Sequence, residues 1–70
     1  MNDRIVSNSH ICGGEPSIKG TRIPVHVILS HVASGENYGS ILKQFPRIKI
    51  EDLLACLEYA SYLATEKAVI

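Results

Sequence analysis

The chain has 70 residues, of which 46% are hydrophobic with one Phe, three Tyr and no Trp, and its formal net charge is zero. A chain of this length forms one domain and buries only about 60% of the surface that its unfolded form exposes, which leaves little room for an enzyme pocket and favours a partner subunit. Because no hydrophobic run near the N-terminus resembles a signal peptide or a membrane span, we expect a cytoplasmic protein with reduced Cys12 and Cys56; a disulfide between them is the alternative.

The N-terminal third of the single domain, residues 1–23, is predicted to be a short β element. Arg4-Ile5-Val6-Ser7 has the composition of a strand, and a second short extended piece is expected at Ile11-Cys12. These assignments predict a small extended structure ahead of a helical region.

A segment rich in glycine and proline follows, from Gly13 to Val25, with the sequence GGEPSIKGTRIPV. The glycine after Lys19 predicts a tight reversal between short extended stretches, because glycine adopts positive φ at little cost. We therefore interpret the segment as a hairpin that displays Lys19 and Arg22 and leads into a helix.

The rest of the domain, residues 24–66, is predicted to be helical. The apolar spacing after Pro24 predicts a first helix over residues 24–34, which Gly35 ends. A second helix is expected over residues 38–45, with Asn37 as its N-cap and Pro46 after its last residue. A third is expected over residues 50–66, with an apolar stripe of Ile50, Leu53, Leu57, Ala60 and Ala64.

A short helix, a brief turn and a longer helix have the lengths of a helix-turn-helix, so the fold class is mainly α with three helices and a short N-terminal β hairpin. In such a motif the exposed early residues of the second helix contact DNA bases, and these would be Glu51, Asp52 and Ala55. Two carboxylates at these positions repel phosphates, although acids in a first turn also complement the helix dipole.

Charge is distributed unevenly along the chain: residues 1–50 carry six basic against three acidic groups, and residues 51–70 carry one against four. This asymmetry fits a polyanionic partner, a head-to-tail dimer, or a surface of unconnected solvated charges. If the partner is DNA, the candidate phosphate contacts are Lys19, Arg22, Lys43, Arg47 and Lys49.

Catalytic, metal and cofactor sites are not expected. His10 and Cys12 are two residues apart, and His26 and His31 point in different directions on the first helix, so neither pair has the spacing of zinc ligands. The two glycines at Gly13 lack the Gly-Lys-Ser/Thr ending of a phosphate-binding loop. The composition therefore favours a binding protein over an enzyme.

The combined pattern resembles a known family of small bacterial proteins. The resemblance covers residues 4–64 and rests on Ile11-Cys12-Gly13-Gly14, Pro16, Ile18, Gly20-Thr21-Arg22-Ile23-Pro24-Val25, Gly35, Phe45-Pro46 and Leu57-Glu58-Tyr59-Ala60. These residues are similar to the "domain of unknown function 433" (DUF433) family. The resemblance implies a homeodomain-like or winged-helix domain that acts as the antitoxin of a type II toxin–antitoxin pair.

By that resemblance the protein would bind and silence a PIN-like ribonuclease toxin and, in complex with it, repress its own promoter, as a homodimer or hetero-oligomer. We expect Arg22 to contact the carboxylates of the toxin, with an internal salt bridge as its alternative role, and the surface of Tyr59, Tyr62 and Leu63 to bind a partner. The alternatives are a stand-alone DNA-binding regulator and a structural interaction module.

Two positions depart from the family pattern. Glu15 stands where the family often has Lys, which puts a phosphate contact of the hairpin in doubt. Lys49 stands where the last helix often begins with Thr, so we expect the loss of that cap to cost about 1 kcal/mol of helix stability.

Overall fold

The computed structural model describes residues 3–10 and 12–67, without the side chains of Cys12, Glu66 and Lys67. Two short strands, β1 and β2, precede three helices, α1 to α3. Their bounds are β1 Ile5–Val6, β2 Ser17–Ile18, α1 Val25–Ala33, α2 Tyr38–Gln44 and α3 Ile50–Lys67. The predicted mainly helical fold with an N-terminal β hairpin is confirmed, and each helix lies within one residue of its predicted bounds.

Strands β1 and β2 form a two-stranded antiparallel sheet in which Ile5 lies opposite Ile18 and Val6 opposite Ser17. The second strand is therefore β2 and does not include Cys12, so the prediction was wrong for Cys12; Ile11 lies outside the described residues.

A 3-10 turn occupies Cys12–Gly14 in place of the expected extended piece. Gly13 has φ 64° and Gly14 has φ 91°, both in the left-handed region, which no strand residue adopts. The prediction took Cys12 for part of a strand, whereas the two glycines after it turn the chain back toward β2.

The tight reversal at Gly20 is confirmed. The backbone N–H of Thr21 donates to the carbonyl of Ile18 at 3.0 Å, and Gly20 has φ 81° at the third position of this four-residue turn. Ser17 also forms an isolated antiparallel bridge with Pro24, so the predicted Gly13–Val25 hairpin exists only in its second half.

The C-terminus of α1 ends in a Schellman motif around Gly35, which has φ 89°. The N–H of Gly35 donates to the carbonyl of Val32, and the N–H of Glu36 donates to that of His31. Gly35 therefore ends the helix, as predicted.

The N-cap of α2 is Asn37, also as predicted. Its side-chain oxygen accepts a hydrogen bond from the N–H of Ser40 at 2.8 Å. This bond satisfies one of the free backbone donors of the first turn, so α2 can begin directly after the turn that ends α1.

The hydrophobic core takes residues from β2, all three helices and the α2–α3 connection: Ile18, Val25, Ile28, Ile41, Ile48, Leu53 and Cys56. On α3 the predicted stripe is only partly buried. Leu53 is fully buried, but Ile50 is 38% exposed, and Ala64 is exposed because it borders an open groove. Cys56, which the predicted stripe omitted, is fully buried and free. None of the described helices is long and apolar enough to span a bilayer.

Candidate functional site

Arg22 and Arg47, two of the predicted phosphate contacts, come from distant parts of the chain and lie at the same opening. Arg47, in the connection between α2 and α3, directs its Nη2 toward the Gly20 carbonyl at 3.4 Å. A depression of about 460 Å³ opens at this point, which we call the cationic depression; it is lined by Gly20, Thr21, Arg22, Ile23 and Arg47. Lys19 is exposed in the same turn, beside Gly20.

The other two predicted phosphate contacts lie elsewhere. Lys43 is exposed on α2, and Lys49 is exposed immediately before α3. Neither lines the cationic depression. The five predicted cations are therefore divided into a group at the hairpin turn and two separate residues.

The start of α3 differs from the prediction. Of the three residues predicted to contact bases, only Glu51 is exposed, whereas Asp52 and Ala55 retain 9% and 6% of their surface, so the prediction that all three face solvent was wrong. Burial of Ala55 is consistent with its small side chain, and Asp52 is held by two hydrogen bonds. The first turn of α3 consequently offers DNA bases little beyond one carboxylate.

Asp52 joins the N-terminal strand region to the start of α3. Its Oδ1 accepts from Arg4 Nη1 at 2.9 Å, and its Oδ2 accepts from the Lys49 N–H at 2.9 Å. The second bond is one half of a capping box, in which the third residue of the helix satisfies the N-cap N–H. The expected loss of a cap at Lys49 is therefore partly compensated by Asp52.

A second opening lies between α1 and α3. This apolar groove has a volume of about 470 Å³ and is lined by Glu15, Pro16, Val25, His26, Leu29, Tyr59, Ala60, Leu63 and Ala64. Of the predicted partner-binding residues, Tyr59 is half-buried and Leu63 is 36% exposed within the groove. Tyr62 is 47% exposed on the same helix but does not line it.

Glu15, which departs from the family pattern, belongs to the apolar groove and not to the cationic depression. One of its carboxylate oxygens, Oε1, lies 3.3 Å from Nε2 of His26. Glu15 therefore does not line the opening that Arg22 and Arg47 share.

A third opening collects acidic residues at the other side of α3. It is lined by Asp3, Arg4, Glu51, Leu54, Ala55 and Glu58. Leu54 is 49% exposed there. The opposite charges of this opening and the cationic depression give the domain a bipolar surface.

The junction of α1 and α2 is tied together by Glu36. One carboxylate oxygen lies 2.5 Å from His31 Nδ1, and the other accepts from Gln44 Nε2 at 2.5 Å and from Ser40 Oγ at 3.5 Å. The hydrogen bond with His31 is the main cause that lowers the pKa of Glu36 below its ordinary 4.5, with the bond from Gln44 next. His31 also packs edge-on against the Phe45 ring, with centroids 5.2 Å apart.

The described residues include one buried free thiol, Cys56. Burial raises the pKa of the Cys56 thiol to about 11, so it is protonated at neutral pH and a poor nucleophile. Among the side chains that the structure describes, no three His, Cys, Asp or Glu residues converge as metal ligands would.

Comparison with known proteins decides the family. The family model described as "Protein of unknown function (DUF433)" matches residues 5–60. The chain belongs to this family. It is also 32% identical over 56 residues to an uncharacterized protein, y4eO, of Sinorhizobium fredii. The match covers 80% of this chain and 25% of that protein, so the chain spans about a quarter of the relative's length. No solved structure matches the chain.

Sequence reasoning missed two features of this DUF433 domain. Asp52 stands three residues after Lys49, and a carboxylate three residues after the N-cap is the signal of a capping box. The apolar groove had no comparable signal, because it depends on how far apart α1 and α3 lie at Leu29 and Leu63.

Proposed function

We propose that this DUF433 protein is an antitoxin that binds and neutralises a PIN-like ribonuclease toxin. The observation that carries the proposal is the apolar groove, which leaves Leu63 exposed beside the half-buried Tyr59 in a domain of only 70 residues. A concave surface with large apolar side chains and few charges is typical of the centre of a protein interface. The family resemblance supplies the kind of partner.

In this proposal the groove receives an apolar segment of the toxin, and Arg22 reaches the carboxylates that hold the divalent metal of the nuclease. A guanidinium among carboxylates forms short, charge-assisted hydrogen bonds and competes with the metal for them. The exposed position of Arg22 in the cationic depression is compatible with this contact.

The test is co-expression with the neighbouring gene, which under this proposal encodes the nuclease. We expect growth rescue and co-purification. Replacing Leu63 with Lys should weaken the complex at least tenfold, since it places a charge in the groove and a tenfold loss corresponds to about 1.4 kcal/mol.

Leu54→Lys is the matched control. Leu54 is 49% exposed on the same helix, and nine residues at about 100° each place it on the face opposite Leu63. It should leave the complex unchanged. Failure to rescue growth, or equal loss from both variants, would contradict the proposal.

A stand-alone DNA-binding regulator is the second candidate. The convergence of Arg22 and Arg47 at one depression favours it. An isolated gene with no adjacent nuclease would shift the balance toward this second function.

A further inference from the structure

We propose that the cationic depression binds the phosphate backbone of duplex DNA and fixes the position of the domain without recognising base sequence. The inference rests on the DNA-binding part of the proposed function. It is carried by the juxtaposition of Arg22 and Arg47, which lie 25 positions apart in the sequence and line one opening with the turn at Gly20.

The chemistry of the depression suits a phosphate. Two guanidiniums offer planar sets of N–H donors that match the oxygens of a phosphate, and Lys19 adds a third positive charge in the adjoining turn. Space is also available, because a Cβ built at Gly20 would have no atom within 4 Å. A backbone phosphate can therefore approach the turn closely.

The position of the depression in the fold favours duplex DNA. Arg47 lies in the connection between α2 and α3, the two helices of the helix-turn-helix order, and the turn at Gly20 stands beside it. Contacts from two separate elements can hold a protein in register on a duplex. Phosphate contacts of this kind carry most of the affinity and none of the direct sequence information.

The start of α3 is poorly suited to contact bases. Asp52 and Ala55 are buried, and the exposed Glu51 lines the acidic opening with Asp3 and Glu58. Those carboxylates repel a polyanion, so the duplex would approach from the side of the hairpin turn.

The experiment measures binding of a fluorescein-labelled 20-base-pair duplex of arbitrary sequence by anisotropy between 50 and 200 mM salt. Three phosphate contacts predict a slope of log affinity against log salt near −2.7, which over this range is a fall of about 40-fold. R22Q and R47Q should each make the slope about one unit shallower, and the double variant about two.

Lys43→Gln is the matched control, since it removes one exposed positive charge outside the depression. Its slope should stay within half a unit of the parent protein. Far-UV circular dichroism and a thermal melt of every variant establish that the fold is retained. If R22Q does not fold, the salt slope of R47Q by itself tests the proposal.

Several outcomes would overturn the inference. If the double variant keeps the parent slope, or K43Q changes it as much as R47Q, the depression is not the contact, while the regulator hypothesis stands. If a polyglutamate peptide binds more tightly than the duplex with the same dependence on Arg22 and Arg47, the ligand is an acidic protein. Absence of duplex binding removes both DNA proposals and leaves toxin co-purification as a separate test.

Discussion

Replacing Asp52 with Ala tests whether one carboxylate holds the region of strand β1 to α3. The change removes two hydrogen bonds, one from the Lys49 N–H at the start of the helix and one from Arg4 Nη1. Loss of the capping bond should cost about 1 kcal/mol. The Arg4 side chain is 47% exposed, so its ion pair is screened by water and should add about 0.5 kcal/mol.

The expected total is about 1.5 kcal/mol of unfolding free energy, which for a domain of this size lowers Tm by about 6–12 °C. Urea denaturation followed by circular dichroism measures the free energy, and a thermal melt gives Tm. Arg4→Ala removes the ion pair and leaves the capping bond in place, so it should cost less than Asp52→Ala.

Glu51→Ala is the matched control, because Glu51 is an acid in the same first turn but is exposed. It should cost about 0.3 kcal/mol through the helix dipole alone. If Asp52→Ala costs no more than Glu51→Ala, the capping and bridging role assigned to Asp52 is wrong.

Two further predictions concern the junction of α1 and α2. Gly35→Ala should lower the free energy of unfolding by about 1–2 kcal/mol, measured by urea denaturation, because φ is 89° there. The control, Gly39→Ala in the first turn of α2, should change the free energy of unfolding by no more than about 0.5 kcal/mol. Equal effects of the two variants would contradict the Schellman assignment. The pKa of Glu36 is lower in the folded protein than in the unfolded chain. Its carboxylate therefore stabilises the fold above about pH 4.5, and this stabilisation is lost as pH falls through the pKa of the folded state. The stability difference between the parent protein and Glu36→Gln, measured from pH 7 to pH 3, should therefore narrow below about pH 4.5, and a constant difference would contradict the role of the carboxylate.

Most of the fold could be predicted from local signals. Gly35, Asn37 and Pro46 mark helix ends through their own backbone and side-chain chemistry, and such effects act within a few residues. The strand at Cys12 was mispredicted because two adjacent glycines can serve either a hairpin or a 3-10 turn, and the choice depends on where β2 pairs.

Less of the candidate site could be predicted from the sequence, because the site depends on the tertiary fold. The five cations could be named, but only the tertiary fold brings Arg47 to the Gly20 turn and leaves Lys43 apart. The burial of Asp52 and Ala55 depends on which face of α3 meets the rest of the domain, and the apolar periodicity placed that face incorrectly.

The Arg4–Asp52 contact also bears on the order of folding. The two residues are separated by 48 positions, and closing a loop of that length costs about 3 kcal/mol of chain entropy, more than the pair returns. The contact therefore forms late, after the helices have packed, and is among the first to open. A domain that is mostly helical should on this account fold more slowly than a simple helical bundle of equal length, because it includes contacts between residues as far apart in sequence as Arg4 and Asp52.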